Sequence, residues 1–318
     1  MKAFFLCILA SLAWPIHAAE PLFSKPIRMV VPFPAGSTTD SVARTLSDSV
    51  SRAIHQTIIV DNKAGADGAI AAAEVAKAAP DGLTLLMASN SPMAVVPAMR
   101  KKVPYDPVAD FTPITDVGRY TLFLYAHPNT PAKTFGELVA YAKANPDMLT
   151  VATVNTSGIV WLAQLSSLAG VRLVHIPYKG EPAGLTDLVG GNVQLMLGTA
   201  TSSGLEFVKS GKLRALVTTL PKRSALLPDV PTTAEVGLPK LVNTGWVALF
   251  GPAKVPRDVV QRLNAEFVAA MARPEVQAAM ERQGIALNPS SPEQLGLYLK
   301  EQVESYRRIL RAAGIEPE

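Results

Sequence analysis

The residues that most often carry covalent or metal chemistry are sparse in this chain and badly spaced for it. His55, His127 and His175 lie far apart, and none stands in a His-x-x-x-His or comparable ligand spacing. No Gly-x-Ser-x-Gly elbow is present, so a serine nucleophile has no ready setting. Gly211-Lys212 lacks the upstream glycine of a phosphate-binding loop and is followed by Leu213 instead of Ser or Thr. Gly65-Ala66-Asp67-Gly68 has the wrong spacing for a dinucleotide fingerprint. Lys179 beside Tyr178 is the one pair with the chemistry of a base or Schiff-base lysine, but a lysine in a Gly-flanked loop is ordinarily solvated. Nothing in these residues argues for a metal, a cofactor or catalysis, although an enzyme stays open as an alternative.

What the chain does supply is polar or Gly-rich turns after apolar strand-like runs, at 34–40, 89–91, 155–158, 177–180 and 198–202. The leading example is Ile27-Arg28-Met29-Val30-Val31 followed by Pro32-Phe33-Pro34-Ala35-Gly36 and a helix opening at Ser37-Thr38-Thr39-Asp40. Ser37 with Asp40 three residues on fits a capping pattern. The first helical N–H groups then lack partners at the positive end of a helix dipole, an arrangement that attracts carboxylate or phosphate. In open α/β sheets, ligands bind at the carboxyl ends of strands. Hydrogen bonds to a charged acceptor contribute about 1.5–3 kcal/mol each. A handful of them, with apolar contacts, offsets an association cost of roughly 4–15 kcal/mol without an arginine clamp. Trp161 and Trp246 are candidates for the apolar wall, although core packing is the commoner role for either.

Strands are expected at Ile27–Val31, 57–60, 83–88, 120–126, 149–154, 172–176, 193–197, 213–218 and 246–250. Helices alternate with them, the first carrying Val42, Leu46, Val50 and Ile54 on one face. Residues 105–116 and the Pro-rich 221–243 read as irregular connections. Strand-helix alternation predicts parallel sheets covered on both faces, and its restart after Pro128 suggests a second lobe.

The chain has 318 residues, 30 Lys plus Arg against 26 Asp plus Glu, and a formal charge of +4. That length buries one large core and plausibly two. No basic run or basic-aromatic strip points to nucleic acid. Residues 1–19 read as an export leader: Lys2, an apolar stretch from Ala3 to Trp14, and small residues that place cleavage after Ala18 or Ala19. The single cysteine, Cys7, falls inside that leader, so the exported chain would have no thiol.

Several longer motifs carry a family resemblance. They are Pro-Ile-Arg-Met-Val-Val-Pro-Phe-Pro-Ala-Gly-Ser-Thr-Thr-Asp (26–40), Asp-Asn-Lys-Ala-Gly-Ala-Asp-Gly (61–68) and Ala-Pro-Asp-Gly-Leu-Thr-Leu-Leu (79–86). Val-Pro-Tyr-Asp-Pro-Val-Ala-Asp-Phe (103–111), Val-His-Ile-Pro-Tyr-Lys-Gly (174–180) and Leu-Pro-Asp-Val-Pro-Thr-Thr-Ala-Glu-Val-Gly-Leu (227–238) complete the set. In this order they resemble the Bug-type solute receptors of tripartite tricarboxylate transporters, from about Lys25 to Gly314.

The resemblance implies an α/β, two-lobe periplasmic binding protein (type II, Venus flytrap) with a ligand cleft between two mostly parallel sheets. The lobes are expected at 20–124 plus 243–318 and at 125–242. It implies a monomeric periplasmic receptor that passes a small carboxylate to transporter membrane components. An enzyme using Lys179 or Tyr178, or a sensor for a signalling partner, stands as the alternative. In such receptors the loop matching 34–40 holds a carboxylate through backbone groups and water, opposed by loops matching 153–158, 178–180 and 198–199. The turns and the resemblance together nominate Pro34, Ala35, Gly36, Ser37, Thr38, Thr39, Asp40, Ser89 and Asn90 from the first lobe. From the second they nominate Thr153, Asn155, Ser157, Trp161, Tyr178, Gly180 and Thr199, with Trp246 beyond it. Three positions depart from the family pattern: Ser37 replaces a usual Gly, Trp161 a frequent His, and Gly198-Thr199 an Asp with a polar partner. Without that Asp a ligand ammonium has no evident counter-charge. The expected ligand is therefore a mono- or dicarboxylate, with Trp161 admitting an aromatic one, and an amino acid is disfavoured.

Overall fold

The apolar strand β1 (Ile27–Val31) runs into the Pro32-Phe33-Pro34 turn and then α1 (Thr38–Ile54). The computed structural model describes residues 25–241, 245–312 and 316–317, so the leader expected at 1–19 lies outside the described residues. β2 (Ile58–Asn62), α2 (Ala69–Ala76), β3 (Thr84–Ser89), a helical turn at Ser91–Val95 continuing as α3 (Val96–Met99), and β4 (Phe111–Tyr120) follow. The second lobe holds β5 (Leu122–Ala126), α4 (Phe135–Ala144), β6 (Thr150–Thr153), α5 (Thr156–Ala169) and β7 (Val174–Pro177). It continues with α6 (Glu181–Val189), β8 (Leu195–Thr199), α7 (Ser202–Lys209) and β9 (Arg214–Thr218). The chain then returns to the first lobe as β10 (Trp246–Pro252), α8 (Arg257–Met271), α9 (Pro274–Arg282), β11 (Ile285–Leu287) and α10 (Pro292–Ala312).

The first sheet has the order β11-β4-β10-β3-β1-β2 and the second β7-β6-β8-β5-β9. In the first, β1 to β4 point one way, and the late strands β10 and β11 oppose them. In the second, only β5 runs against the others. The strands are thus mostly parallel in direction, although β5, β10 and β11 create antiparallel pairs that a strand-helix alternation does not announce.

β1 alternates as its sequence demands. Ile27, Met29 and Val31 pack with Val42, Leu46 and Val50 of α1 and with α8 and α9, while Val30 turns to the opposite face with α2 and α10. Helices therefore cover both faces of the first sheet. The second sheet is likewise sandwiched, by α4 and α5 on one face and α6 and α7 on the other.

Two connections differ from expectation. Residues 105–116 read as irregular, yet β4 spans Phe111–Tyr120. Its period is obscured by Pro113 and by buried Asp116, which is tolerated because Arg119 Nη1 and Asn288 Nδ2 donate to its carboxylate at 2.8 and 2.9 Å. The expected single strand 120–126 is divided at Thr121, where the chain crosses between sheets. There Thr121 N–H donates to Gly284 C=O at 2.7 Å, and its C=O accepts from Ala200 N–H at 2.8 Å. Gly284 has φ +68°, and a Cβ on it would stand 2.7 Å from Ala200 O, so this close approach needs glycine.

Candidate ligand-binding site

The chain builds its candidate site where strand ends meet helix beginnings. Ser37 is the N-cap of α1 and its hydroxyl accepts from Asp40 N–H at 3.3 Å. Among the described residues the N–H groups of Thr38 and Thr39 have no hydrogen-bond partner, as the first positions of a helix require. Across from them, Asn155 caps α5, its Oδ1 accepting from Gly158 N–H at 2.9 Å. The ends of β3 and β8 bring Ser89, Asn90 and Thr199 to the same place.

These groups enclose a cavity of about 70 Å³ between the lobes. Of the residues nominated from the sequence, Ser37, Thr38, Thr39, Ser89, Asn90, Asn155, Ser157, Gly180 and Thr199 line it. Phe33, Leu122, Val154 and Leu197 give the wall an apolar side, and Tyr120 closes one end with its hydroxyl 2.7 Å from Thr39 Oγ1. No lysine or arginine lines the cavity among the described residues.

The lobes are also joined by a buried hydroxyl network beside the cavity. Asn90 Nδ2 donates to Ser157 Oγ and to Tyr306 OH, each at 2.8 Å. Ser91 Oγ lies 3.1 Å from Ser157 Oγ, and Val160 of α5 packs into the first lobe's core.

The remaining nominated residues lie elsewhere. Ala35 and Gly36 are exposed at the rim, and Pro34 borders an outer groove with Tyr178 and Lys179. Asp40 points behind the helix start. Burial alone would raise its carboxyl, but donation from Arg44, Gly36 N–H and Asn62 outweighs that and holds it below the usual carboxylate range. Thr153 pairs its hydroxyl with His175 Nε2 at 2.5 Å. Tyr178 donates to Asp187 Oδ2 at 2.7 Å, and burial with the adjacent carboxylate pushes the phenol up to about 12. Trp161 is fully buried in the second lobe's core among Leu162, Leu165 and Phe135. Trp246 is fully buried in the first, against Phe250 and Tyr298, with its indole N–H donating to Gln302 Oε1 at 3.3 Å. Neither tryptophan lines the cavity, because a large apolar ring on a central strand or inward helix face is used by the core.

Among the cavity residues that the sequence did not nominate, Glu181 is the one with an ionisable acid. It opens α6, where an acid is ordinary dipole complementation at a solvated helix start, so no local signal shows it turned inward. Its Oε1 accepts from Thr199 N–H at 2.5 Å and its Oε2 from Thr38 Oγ1 at 3.0 Å. Its surface is only half-buried because it faces the cavity, while protein surrounds it elsewhere. Burial raises its carboxyl above the usual range, and the bonds from Thr199 and Thr38 offset only part of that. The sequence reading placed no acid in the cleft, and the structure puts the Glu181 carboxyl there. The carboxyl that Gly198 and Thr199 lack is supplied by Glu181, one hydrogen bond from Thr199.

The profile of the tripartite tricarboxylate transporter family receptor, TctC, matches residues 42–315. Protein BugT of Bordetella pertussis (strain Tohama I) is 33% identical over 311 residues, covering 96% of this chain and 94% of BugT. The solved periplasmic binding protein BugD superposes with a TM-score of 0.87 at 33% identity, over 93% of this chain and 99% of that one. A protein of R. palustris solved with adipate superposes at 0.88 and 27% identity, over 93% and 99% of the two chains. MatC from Rhodopseudomonas palustris, solved with bound malate, superposes at 0.84 and 29% identity, over 90% and 99%. The two-lobe α/β architecture is the fold of these binding proteins.

Proposed function

Because the chain belongs to the tripartite tricarboxylate transporter receptor family, we propose that it is a periplasmic receptor that closes its lobes on a small organic carboxylate and delivers it to the membrane components of such a transporter. The observation that carries the reading is the unpartnered pair of N–H groups at Thr38 and Thr39, facing Asn155 and Ser157 of the other lobe across one small cavity. Such an opposed arrangement holds an anion by neutral donors and releases it when the lobes part. Neighbours of the same fold were solved with adipate and with malate, which supports a small acid as the ligand class. No helix among the described residues is long and apolar enough to cross a membrane.

Catalysis by Tyr178 or Lys179 draws no support from the geometry. The Tyr178 hydroxyl is committed to Asp187, and Lys179 is exposed on the outer groove.

The test is native mass spectrometry of freshly purified protein, followed by calorimetric titration with a panel of small carboxylates. A co-purified acid, recovered unchanged after incubation and rebinding with a micromolar or lower dissociation constant, is expected. Failure of every carboxylate to bind, or its steady conversion to product, would overturn the receptor reading.

A further inference from the structure

The cavity wall contains an acid that the receptor mechanism does not require. Glu181 has no ion-pair partner among the described residues, and no basic side chain lines the cavity beside it. A carboxylate offers about four acceptor sites. Protein donors occupy it from two directions only, Thr38 Oγ1 from the first lobe and Thr199 from the second. The other acid near the α1 start, Asp40, is turned away and paired with Arg44 and Asn62, so it does not share the charge of the cavity. An ionised carboxylate held away from bulk water without a cation is expensive. Whatever enters the cleft must therefore suit an acceptor as well as the donors.

Resting on the receptor reading above, we infer that Glu181 determines ligand charge and that the ligand is an ammonium carboxylate, its carboxylate on the Thr38 and Thr39 N–H groups and its protonated nitrogen on Glu181. Thr38 fixes the spacing. Its own N–H is free for the anion while its hydroxyl donates to Glu181 Oε2 at 3.0 Å, so the two subsites are adjacent. A carboxylate and an ammonium joined through one or two carbon atoms, as in an α- or β-amino acid, meet both ends together. A dicarboxylate of similar length would instead place a second anion against Glu181. Like charges about 4 Å apart at an effective dielectric near 20 weaken binding by on the order of 10²–10³-fold.

The full exported chain, dialysed free of ligand, is titrated by calorimetry at pH 7.5 with pairs that differ in the amino group: alanine against propionate, aspartate against succinate. Each titration is repeated in two buffers of different ionisation enthalpy, so that proton uptake is counted. The expected result is that one amino acid binds about 100-fold or more tightly than its desamino partner, with no net proton uptake. Glu181→Gln then lowers that ratio to within about fivefold by weakening the amino acid and strengthening the desamino acid. Glu181→Asp retains the preference in sign. Desamino acids binding as tightly as the amino acids would overturn this inference and leave the receptor reading intact. So would desamino binding that brings one proton with it, since the partner of Glu181 would then be that proton. If neither series nor any other small carboxylate binds, the receptor reading itself falls, and this one with it.

Discussion

Replacing Asn90 with alanine tests whether the lobes are held closed by the network beside the cavity. Both side-chain N–H donors of Asn90 are used, one crossing to Ser157 of the second lobe and one staying within the first on Tyr306, each at 2.8 Å. A typical buried hydrogen bond contributes a net ~1 kcal/mol, and a buried group left without its partner costs ~1–3 kcal/mol. The crossing bond therefore biases closure by about 1 kcal/mol. Because apparent affinity scales with the population of the closed state, the loss weakens ligand binding by about fivefold. The stranded Tyr306 hydroxyl acts on stability, and a penalty of 1–3 kcal/mol lowers Tm by roughly 2–12 °C in a protein of this size. Tyr306→Phe separates the two effects, since it breaks only the arm within the first lobe: Tm should fall while affinity stays within about twofold. Calorimetric affinities for Asn90→Ala, Ser157→Ala and the double variant give the crossing term directly as a coupling energy near 1 kcal/mol. A coupling energy near zero, with Asn90→Ala and Tyr306→Phe equally destabilised and equally tight for ligand, would refute the closure argument.

Two further outcomes follow from the fold. Gly284→Ala should lower stability by more than about 1 kcal/mol, because φ is +68° and the added methyl would meet the Ala200 carbonyl at 2.7 Å; an unchanged melting temperature would show that the crossing at Thr121 relaxes freely. Asp40 is held below the usual carboxylate range, so its contribution is present above the unfolded value of about 4 and disappears as pH falls through the lower folded value. Asp40→Asn should accordingly be less stable at pH 7 and converge with the parent chain in acid. Parallel stability–pH curves for the two would contradict that assignment.

By itself, the sequence determined what is local. The apolar run at Ile27–Val31, the cap at Ser37, the cap at Asn155 and the Val42-Leu46-Val50 stripe all act within a few residues, through hydrogen bonds and side-chain periods that the chain states on its face. The order of its motifs also carried the family, and with it two lobes. The insertion of β10 between β3 and β4 was not legible, because antiparallel pairing across more than a hundred intervening residues leaves no local mark. Nor was the fate of Trp161 and Trp246, since an aromatic ring serves a core or a ligand wall equally well until its neighbours are known. Glu181 is the sharpest case. As the first residue of a helix it looks like any solvated acid, and only the approach of Thr38 from the other lobe makes it part of a closed cavity. Capping and periodicity are short-range, whereas the environment of a charge depends on everything that packs around it, so the tertiary structure alone decided what that carboxylate faces.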